Sequence, residues 1–421
     1  MRQLSLFYEE KRKSESTKFK RQRDESLDFK GIQAGQGIYA IHPYPAMFHF
    51  MLVRKFIKEF SKEFDLVFDP FCGSGVSAGE CLKLNRNFIG YDINPLAILI
   101  AKVRTTPQDI EELTNTLKKI LTAKIKNFEI PNFPNIHYWF DEDVIEQLAQ
   151  LKEAILKIEK ESVRDFFKVA FSETVRKVSN ADPNEFKLIR RKVKLIRRKD
   201  GKNKNVKETF RNIAKRNIES ILEISGIKSD SKIILERRNI LDGISLDDES
   251  IDLVITSPPY GDSKTTVAYE QFSRLSIRWL GLEDDFEKFS LGAKINVPDK
   301  NLPSDILYEC ISKISREDER RAREVISFYY DLFRVVELIS GKVKTGGFAI
   351  FVVGNRKVKG IELPTDKICA DFFASFGFTH IKTLVREISN KRMPSQNSPT
   401  NIKGNKDETM KNEYAVILKK H

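Results

Sequence analysis

Thr256-Ser257-Pro258-Pro259-Tyr260 puts a hydroxyl, two prolines and a phenol directly after the apolar run Ile251-Asp252-Leu253-Val254-Ile255. The run is β-branched and of strand length, and the proline pair stops it. Prolines stiffen the backbone and donate no N–H, so nearby oxygens stay free to accept from an amino group. In an open parallel sheet, ligands bind beyond the carboxyl ends of the strands. A hydroxyl, free carbonyls and an aromatic ring placed there suit a flat, polar-edged substrate such as a nucleobase.

A second segment carries complementary chemistry. Phe64-Asp65-Leu66-Val67-Phe68 reads as a strand that ends in Asp69-Pro70-Phe71-Cys72-Gly73-Ser74-Gly75. The glycines let the turn close and let a ligand approach bare backbone. Val76 to Leu84 reads as a helix, whose first N–H groups are open to a polar or anionic group. A second strand, Phe88-Ile89-Gly90-Tyr91, ends in Asp92. A carboxylate about 20 residues beyond the turn is placed to take ribose hydroxyls, so the unit is read as a site for an adenosine-containing cofactor. Gly73-x-Gly75-x-x-Ala78 also matches a loose dinucleotide fingerprint. Asp69 beside the loop suits a cationic amino group better than a pyrophosphate. Hydride transfer has no use for the Ser-Pro-Pro-Tyr strand end.

Together these segments resemble the amino-methylating DNA methyltransferases. The resemblance is carried by Asp69-Pro70-Phe71-Cys72-Gly73-Ser74-Gly75, Gly90-Tyr91-Asp92-Ile93-Asn94-Pro95 and Ser257-Pro258-Pro259-Tyr260. His42-Pro43-Tyr44-Pro45-Ala46 and Gly346 to Asn355 extend it, as do Asn390 to Pro394 and Glu413 to Leu418. It covers about residues 35–105 and 230–420. It implies S-adenosylmethionine as cofactor and double-stranded DNA as substrate. Asp69 would hold the methionine end of the cofactor, and Gly73 and Gly75 would give backbone access. Asp92 would take the ribose, with Pro70, Phe71, Cys72 and Asn94 around it. His42, Tyr44 and Pro45 would close over it. Asn239 and Ile240 would face the adenine, where relatives often carry an acid. Ser257, Pro258, Pro259 and Tyr260 would hold the target base.

Serine rather than aspartate before Pro-Pro-Tyr leans toward the cytosine-N4 branch, with adenine-N6 the nearest alternative and RNA guanine-N2 a more distant one. Five-carbon cytosine methylation needs a cysteine after a proline, and Cys72, Cys81, Cys310 and Cys369 follow Phe, Glu, Glu and Ile. In the expected reaction Ser257 and the Pro258 carbonyl accept the amino protons and free the nitrogen lone pair. Tyr260 stacks on a flipped base, and transfer to the aligned amine is direct. A restriction endonuclease acting on the same site is an expected partner.

The chain has 421 residues, 40% hydrophobic and 32% charged, with a net charge of +13. No apolar stretch approaches the roughly 20 residues of a membrane span. The polar N-terminus has no signal-peptide core, so a cytoplasmic protein is expected. Four cysteines without ligand spacing point to reduced thiols and no metal. The positive charge is concentrated: residues 187–216 hold 14 Lys and Arg against Asp200 and Glu208. Such a patch is the footprint of a polyanion partner, and Arg190, Arg191, Lys192, Lys194, Arg197 and Arg198 are the candidate DNA contacts.

These segments must be positioned by strands alternating with helices, which define an α/β class: a doubly wound, mostly parallel, Rossmann-like sheet with an antiparallel C-terminal edge. Residues 1–34 read as a flexible basic segment, and 35–105 with 229–421 as the catalytic domain. Residues 106–228 read as a helical insert for DNA recognition. Val144, Ile145, Leu148, Leu151, Ala154 and Ile155 recur there at helical spacing. Tyr138-Trp139-Phe140 reads mainly as core packing, and one amphipathic helix is expected from about Glu317 to Ile339.

Overall fold

The computed structural model describes residues 19–182, 185–191, 205–261, 269–295, 301–388, 396–397, 407–408 and 410–421. Strands β1 (Arg21–Arg23), β2 (Leu66–Asp69), β3 (Asn87–Asp92), β4 (Ile233–Arg237), β5 (Ile251–Thr256) and β6 (Val343–Val353) come first in the chain. Two short hairpins, β7–β8 (Lys357–Val358, Ile361–Glu362) and β10–β11 (Gln396–Asn397, Asp407–Glu408), lie outside the main sheet. β9 (Phe378–Glu387) and β12 (Asn412–Lys420) complete it, in the order β1-β9-β12-β6-β5-β2-β3-β4.

The five strands from β6 to β4 run parallel, while β12 is antiparallel to both β6 and β9. β12 therefore sits inside the sheet rather than at its rim. The edge on that side is β1, paired with β9 through Arg21↔Thr383 and Arg23↔Val385, and the opposite edge is β4. The expectation of a flexible segment over residues 1–34 thus fails for its latter part; residues 1–18 lie outside the described residues. β1 is anchored by charge. Arg21 donates through Nε and Nη2 to the buried Asp366, at 2.7 and 2.9 Å, and Arg23 pairs with the buried Asp28 at 2.5 Å.

Alternation along each strand splits the apolar residues between two cores. Val67, Phe88, Leu253, Ile255, Ile350 and Val352 face one, and Phe68, Ile89, Val254, Ala349, Phe351 and Val353 face the other. A residue-by-residue split of this kind is what a sheet covered on both sides requires.

The first face is covered by α1 (Phe50–Phe60), α2 (Val76–Lys83) and α3 (Pro95–Thr105), then by α4 (Ile110–Thr122), α5 (Ile136–Trp139), α6 (Glu142–Leu156), α7 (Glu161–Val178), α8 (Val206–Ser225) and α9 (Tyr269–Leu280). The helices of the insert share one continuous core with the sheet, and Ser276 Oγ of α9 donates to the Ser172 carbonyl of α7 at 2.7 Å. The second face is covered by α10 (Asp305–Glu317), α11 (Glu319–Ser340) and α12 (Thr365–Ala374). The long amphipathic helix expected from about Glu317 to Ile339 is α11, and a separate helix, α10, precedes it, the two parted at Asp318. That residue leaves helical geometry at φ −157° and accepts from Arg321 N to start α11. Among the described residues no helix is long and apolar enough to cross a membrane.

The chain order sets the site. From β2 the chain moves to β3 and β4 on one side, then returns to β5 on the other. The ends of β2 and β5 therefore form the switch point where such sheets open a crevice. α2 starts there at Gly75, whose φ is +82°. A β-carbon on Gly75 would stand 2.5 Å from Ala101 Cβ on α3, so both backbone conformation and helix packing demand glycine. Gly75→Ala is expected to cost roughly 2–4 kcal/mol of stability, from left-handed strain plus overpacking. Urea denaturation measures this, and a loss under about 0.5 kcal/mol would show that α2 and α3 separate freely.

Candidate active site

One cavity opens at the switch point. Its wall includes Tyr44, Pro45, Pro70, Phe71, Cys72, Gly73, Asp92, Asn94, Asn239, Ile240, Ser257 and Pro259. Twelve of the residues expected at the site therefore share one wall, and the cofactor turn and the Ser-Pro-Pro strand end lie on the same side of the molecule.

The carboxylate of Asp92 is fixed by backbone. Its Oδ2 accepts from Gly73 N at 3.0 Å and its Oδ1 from Asn94 N at 2.8 Å. Burial pushes its pKa up to about 6, against the pull of those two N–H groups. Each oxygen keeps a lone pair for a hydroxyl in the cavity. Asn94 is the cap of α3, its Oδ1 accepting from Leu96 N, with Pro95 in the first helical position. Its Nδ2 donates to Tyr44 Oη and Ser273 Oγ, both at 3.0 Å. The Tyr44 ring stacks on Tyr269 with centroids 6.1 Å apart. Gly73 has a φ of +51°, and the nearest atom to a β-carbon built there is Tyr44 Cε1 at 3.9 Å, so its backbone lies bare toward the cavity. Asn239 Oδ1 accepts from Leu241 N at 3.1 Å, starting the short turn that presents Ile240.

Five expected site residues stand elsewhere. Asp69 lies behind the wall, 1% exposed, with Oδ1 accepting from Thr256 Oγ1 at 2.6 Å and Oδ2 from Ser77 Oγ at 2.7 Å. It also accepts from Phe71 N at 3.1 Å, so its lone pairs are spent on the fold rather than on a ligand. Gly75 faces Ala101, not the cavity. His42 is buried edge-on to Phe272, with centroids 6.1 Å apart, and is no lid. Burial lowers its pKa to about 3, so the ring is neutral, and its carbonyl accepts from Arg104 Nη2 at 3.0 Å. Pro258 is buried beneath the turn. Tyr260 also leaves the wall: its hydroxyl accepts from Ser257 Oγ at 3.1 Å and donates to Glu413 Oε1 at 3.2 Å. That pair of bonds holds the phenol beside the cavity, against Gly354.

Sequence reasoning missed several groups. Tyr269, Glu270, Phe286 and Phe289 complete the wall. They belong to α9 and the turn after it, with no motif to mark them. Arg104 is fully buried and supports the glycine turn from behind. Its Nη1 donates to the Ser74 carbonyl and Oγ at 2.7 and 2.6 Å, and its Nη2 reaches the Tyr39 carbonyl at 3.1 Å. Burial lowers its pKa to about 10, which still leaves it charged at neutral pH. The four cysteines are buried and free.

Of the candidate DNA contacts, Lys192, Lys194, Arg197 and Arg198 lie outside the described residues. Arg190 sits over the Tyr138 ring, 4.4 Å from its centroid, and Tyr138 is 48% exposed. Arg191 Nε donates to the Ala181 carbonyl at 3.0 Å. Phe140 is core, so the aromatic cluster divides between interior and surface. Arg211 and Lys215 are exposed on α8, whereas Arg216 is committed to Glu173.

A Rossmann-like sheet with a backbone-held carboxylate at the end of its second core strand, and a Ser-Pro-Pro strand end across the switch point, defines the class of nucleotide-cofactor folds. Comparison with known proteins narrows the class. Residues 3–103 match the family model described as DNA methylase. The chain is 37% identical to the type II methyltransferase M.MvaI of Kocuria varians over 433 aligned residues, covering 94% of each chain. It is 34% identical over 125 residues to M.MjaII of Methanocaldococcus jannaschii, covering 29% of this chain and 23% of that one. Solved structures align weakly, among them TrmN from Thermus thermophilus, with a TM-score of 0.31 and 9% identity over 89% of this chain and 49% of that one. Alignments of that quality carry no argument. The chain belongs to the N6/N4 DNA amino-methyltransferase family, enzymes that use S-adenosylmethionine.

The cavity suits that cofactor: a fixed carboxylate for hydroxyls, bare backbone at Gly73, and apolar faces from Phe71 and Ile240. Asp69 carries a consequence for stability. Burial raises its pKa from 3.8 to about 6, so the folded state holds the proton more tightly than the unfolded chain. Its contribution is favourable below the unfolded value and is lost as pH rises through the folded one. Asp69→Asn should therefore gain stability relative to the parent by up to roughly 3 kcal/mol between pH 4 and pH 7. Urea titrations at both ends measure it; an unchanged difference would show that the carboxyl is not perturbed.

Proposed function

We propose that this protein is a site-specific, type II DNA methyltransferase that methylates the exocyclic N4 amine of cytosine, as the modifying half of a restriction–modification pair. The observation that carries this reading is Ser257 on the same cavity wall as Gly73 and Asp92. A serine hydroxyl that donates to Tyr260 keeps both lone pairs for an amino group. The Ser-Pro-Pro-Tyr form supports cytosine over adenine. The type II relative that spans 94% of the chain supports a restriction–modification setting.

When bound, S-adenosylmethionine supplies an electrophilic methyl group on a sulfonium. The protein's own residues do the rest. A cytosine amine is a poor nucleophile because its lone pair is delocalised into the ring. Ser257 Oγ accepts one amino proton, which lets the nitrogen pyramidalise; Pro258 is buried off the wall, so the second amino proton is not assigned to its carbonyl. Pro259 and Gly261 shape the entry beside it. The target leaves the duplex to reach this depth. Tyr44 and Tyr269, with Phe71, Phe286 and Phe289, are aromatic groups at the cavity wall that can pack against flat rings. The basic stretch 187–216 carries the DNA backbone, with Lys187, Arg211 and Lys215 exposed for phosphates.

Purified protein incubated with amplified, unmethylated genomic DNA should yield N4-methylcytosine on nucleoside mass spectrometry. Ser257→Ala should lower the transfer rate by about 10²-fold, the scale of losing one positioned hydrogen-bonding group. N6-methyladenine as product would replace the cytosine assignment. A Ser257→Ala enzyme with full activity would remove Ser257 from the reaction.

A further inference from the structure

The Ser257 hydroxyl does not end in the cavity wall. It is the first member of a chain that runs from the wall to the last strand of the sheet. Ser257 Oγ donates to Tyr260 Oη at 3.1 Å, and Tyr260 Oη donates to Glu413 Oε1 at 3.2 Å. Glu413 lies on β12, 153 residues from Tyr260 in sequence. Its other oxygen, Oε2, lies 3.1 Å from Arg386 Nε on β9, directly across the ladder at Glu413↔Arg386. The two oxygens therefore have separate duties, one toward Arg386 and one toward the tyrosine.

The direction of the chain follows from chemistry alone. An ionised carboxylate can only accept, so the single Tyr260 proton is committed to Glu413. Tyr260 can then only accept from Ser257, and the Ser257 proton is committed in turn. Glu413 thus decides, through two hydroxyls, that Ser257 presents lone pairs rather than a proton to the cavity.

We propose that Glu413 and Tyr260 are positioning residues that form a proton exit from the target amine, with Glu413 as its terminal acceptor. This rests on the amine-methylation reading above. Transfer breaks the sulfur–carbon bond, whose electron pair stays on sulfur as a neutral thioether, and forms a nitrogen–carbon bond. The nitrogen is left with one proton too many. That proton passes to Ser257 Oγ as the serine proton passes to Tyr260 Oη and the tyrosine proton to Glu413 Oε1. Both hydroxyls are restored, the amine is neutral, and the carboxylate has become a carboxylic acid. The Glu413 side chain is 20% exposed, so it can return the proton to solvent. Hydroxyl separations of 3.1 and 3.2 Å are long for transfer and are of the kind that tighten when substrate binds. The charged and titratable groups that face Glu413 are Arg386 on β9, Tyr260 on the Pro-Pro turn and, through space, Tyr269 on α9.

Single-turnover methylation of amplified, unmethylated genomic DNA by the full chain tests this, with the wild type beside Glu413→Gln and Tyr260→Phe. Both substitutions keep shape, and calorimetry with S-adenosylmethionine reports whether the fold and cofactor site survive. The expected result is a transfer rate about 10²-fold lower in each variant, the scale of acid–base assistance, with cofactor affinity unchanged. The wild-type rate should fall as pH is lowered, and that acid limb should be absent in Glu413→Gln. A Glu413→Gln enzyme with a rate near wild type and the same acid limb would overturn the proton exit alone and leave methylation standing. A wild-type protein that methylates no DNA while binding the cofactor would overturn both readings.

Discussion

The whole site depends on one buried hydrogen bond, from Thr256 Oγ1 to Asp69 Oδ1 at 2.6 Å. Asp69 ends β2 and Thr256 ends β5, neighbours across the switch point. The turn that follows Asp69 is the glycine turn of the cavity wall, and the residue that follows Thr256 is Ser257. A cross-strand bond at the last residue of each strand ties the glycine turn to the Ser-Pro-Pro strand end above the ladder. The ladder pairs only Val67 with Leu253 and Phe68 with Val254 at this joint. The Asp69 carboxyl also holds Ser77 on α2 and Phe71 N in the turn, so one side chain gathers strand, turn, helix and neighbouring strand. Burying a carboxyl is costly unless its lone pairs are occupied, and here three donors occupy them.

Arg104 performs the matching task on the opposite side of the turn. A guanidinium offers donors in a fixed planar fork, so it can hold several carbonyls in one geometry. Through Ser74, Tyr39 and His42 it fastens the glycine turn to the segment that carries Tyr44 and Pro45. The cavity wall is thus braced by a buried acid at the end of β2, tied to β5, and by a buried base on α3, tied to the N-terminal segment. Neither lines the cavity. The lining groups are free for ligand because the scaffold's polar demands are met behind them.

Sequence patterns revealed the elements better than the contacts. Strands β2, β3 and β5 were legible because apolar runs end sharply in Asp-Pro, Asp-Ile-Asn-Pro and Ser-Pro-Pro. The parallel sheet followed from their alternation with helices. Asp92, Asn94, Gly73 and Ser257 stand on the cavity wall because each lies within a few residues of the turn that presents it. Asp69, His42 and Tyr260 were misplaced for the opposite reason. Their orientations are set by Thr256, Phe272 and Glu413, partners that only the folded sheet brings near. Arg104 reads in sequence as a base in the last turn of a helix, an ordinary position for a solvated cation. Only the packing of α3 against the turn turns it inward. β1 was hidden by its composition, since Arg-Gln-Arg has no strand signature and pairs only because Asp366 and Asp28 wait beneath it.

The choice of serine at position 257 gains a physical meaning from these contacts. An aspartate there would bring a second negative charge to the cavity wall that the Asp92 carboxylate already shares. Two carboxylates in one buried space oppose each other's ionisation. A neutral hydroxyl avoids that conflict and still accepts an amino proton, provided something fixes which way its own proton points. Tyr260 and Glu413 supply that direction from outside the cavity, with the charge carried on β12 beside Arg386. Placing the charge two hydroxyls away keeps it off the cavity wall and near its counter-ion. The last strand of the chain, threaded between β6 and β9, therefore also holds the Ser257–Tyr260 hydroxyl pair beside the cavity.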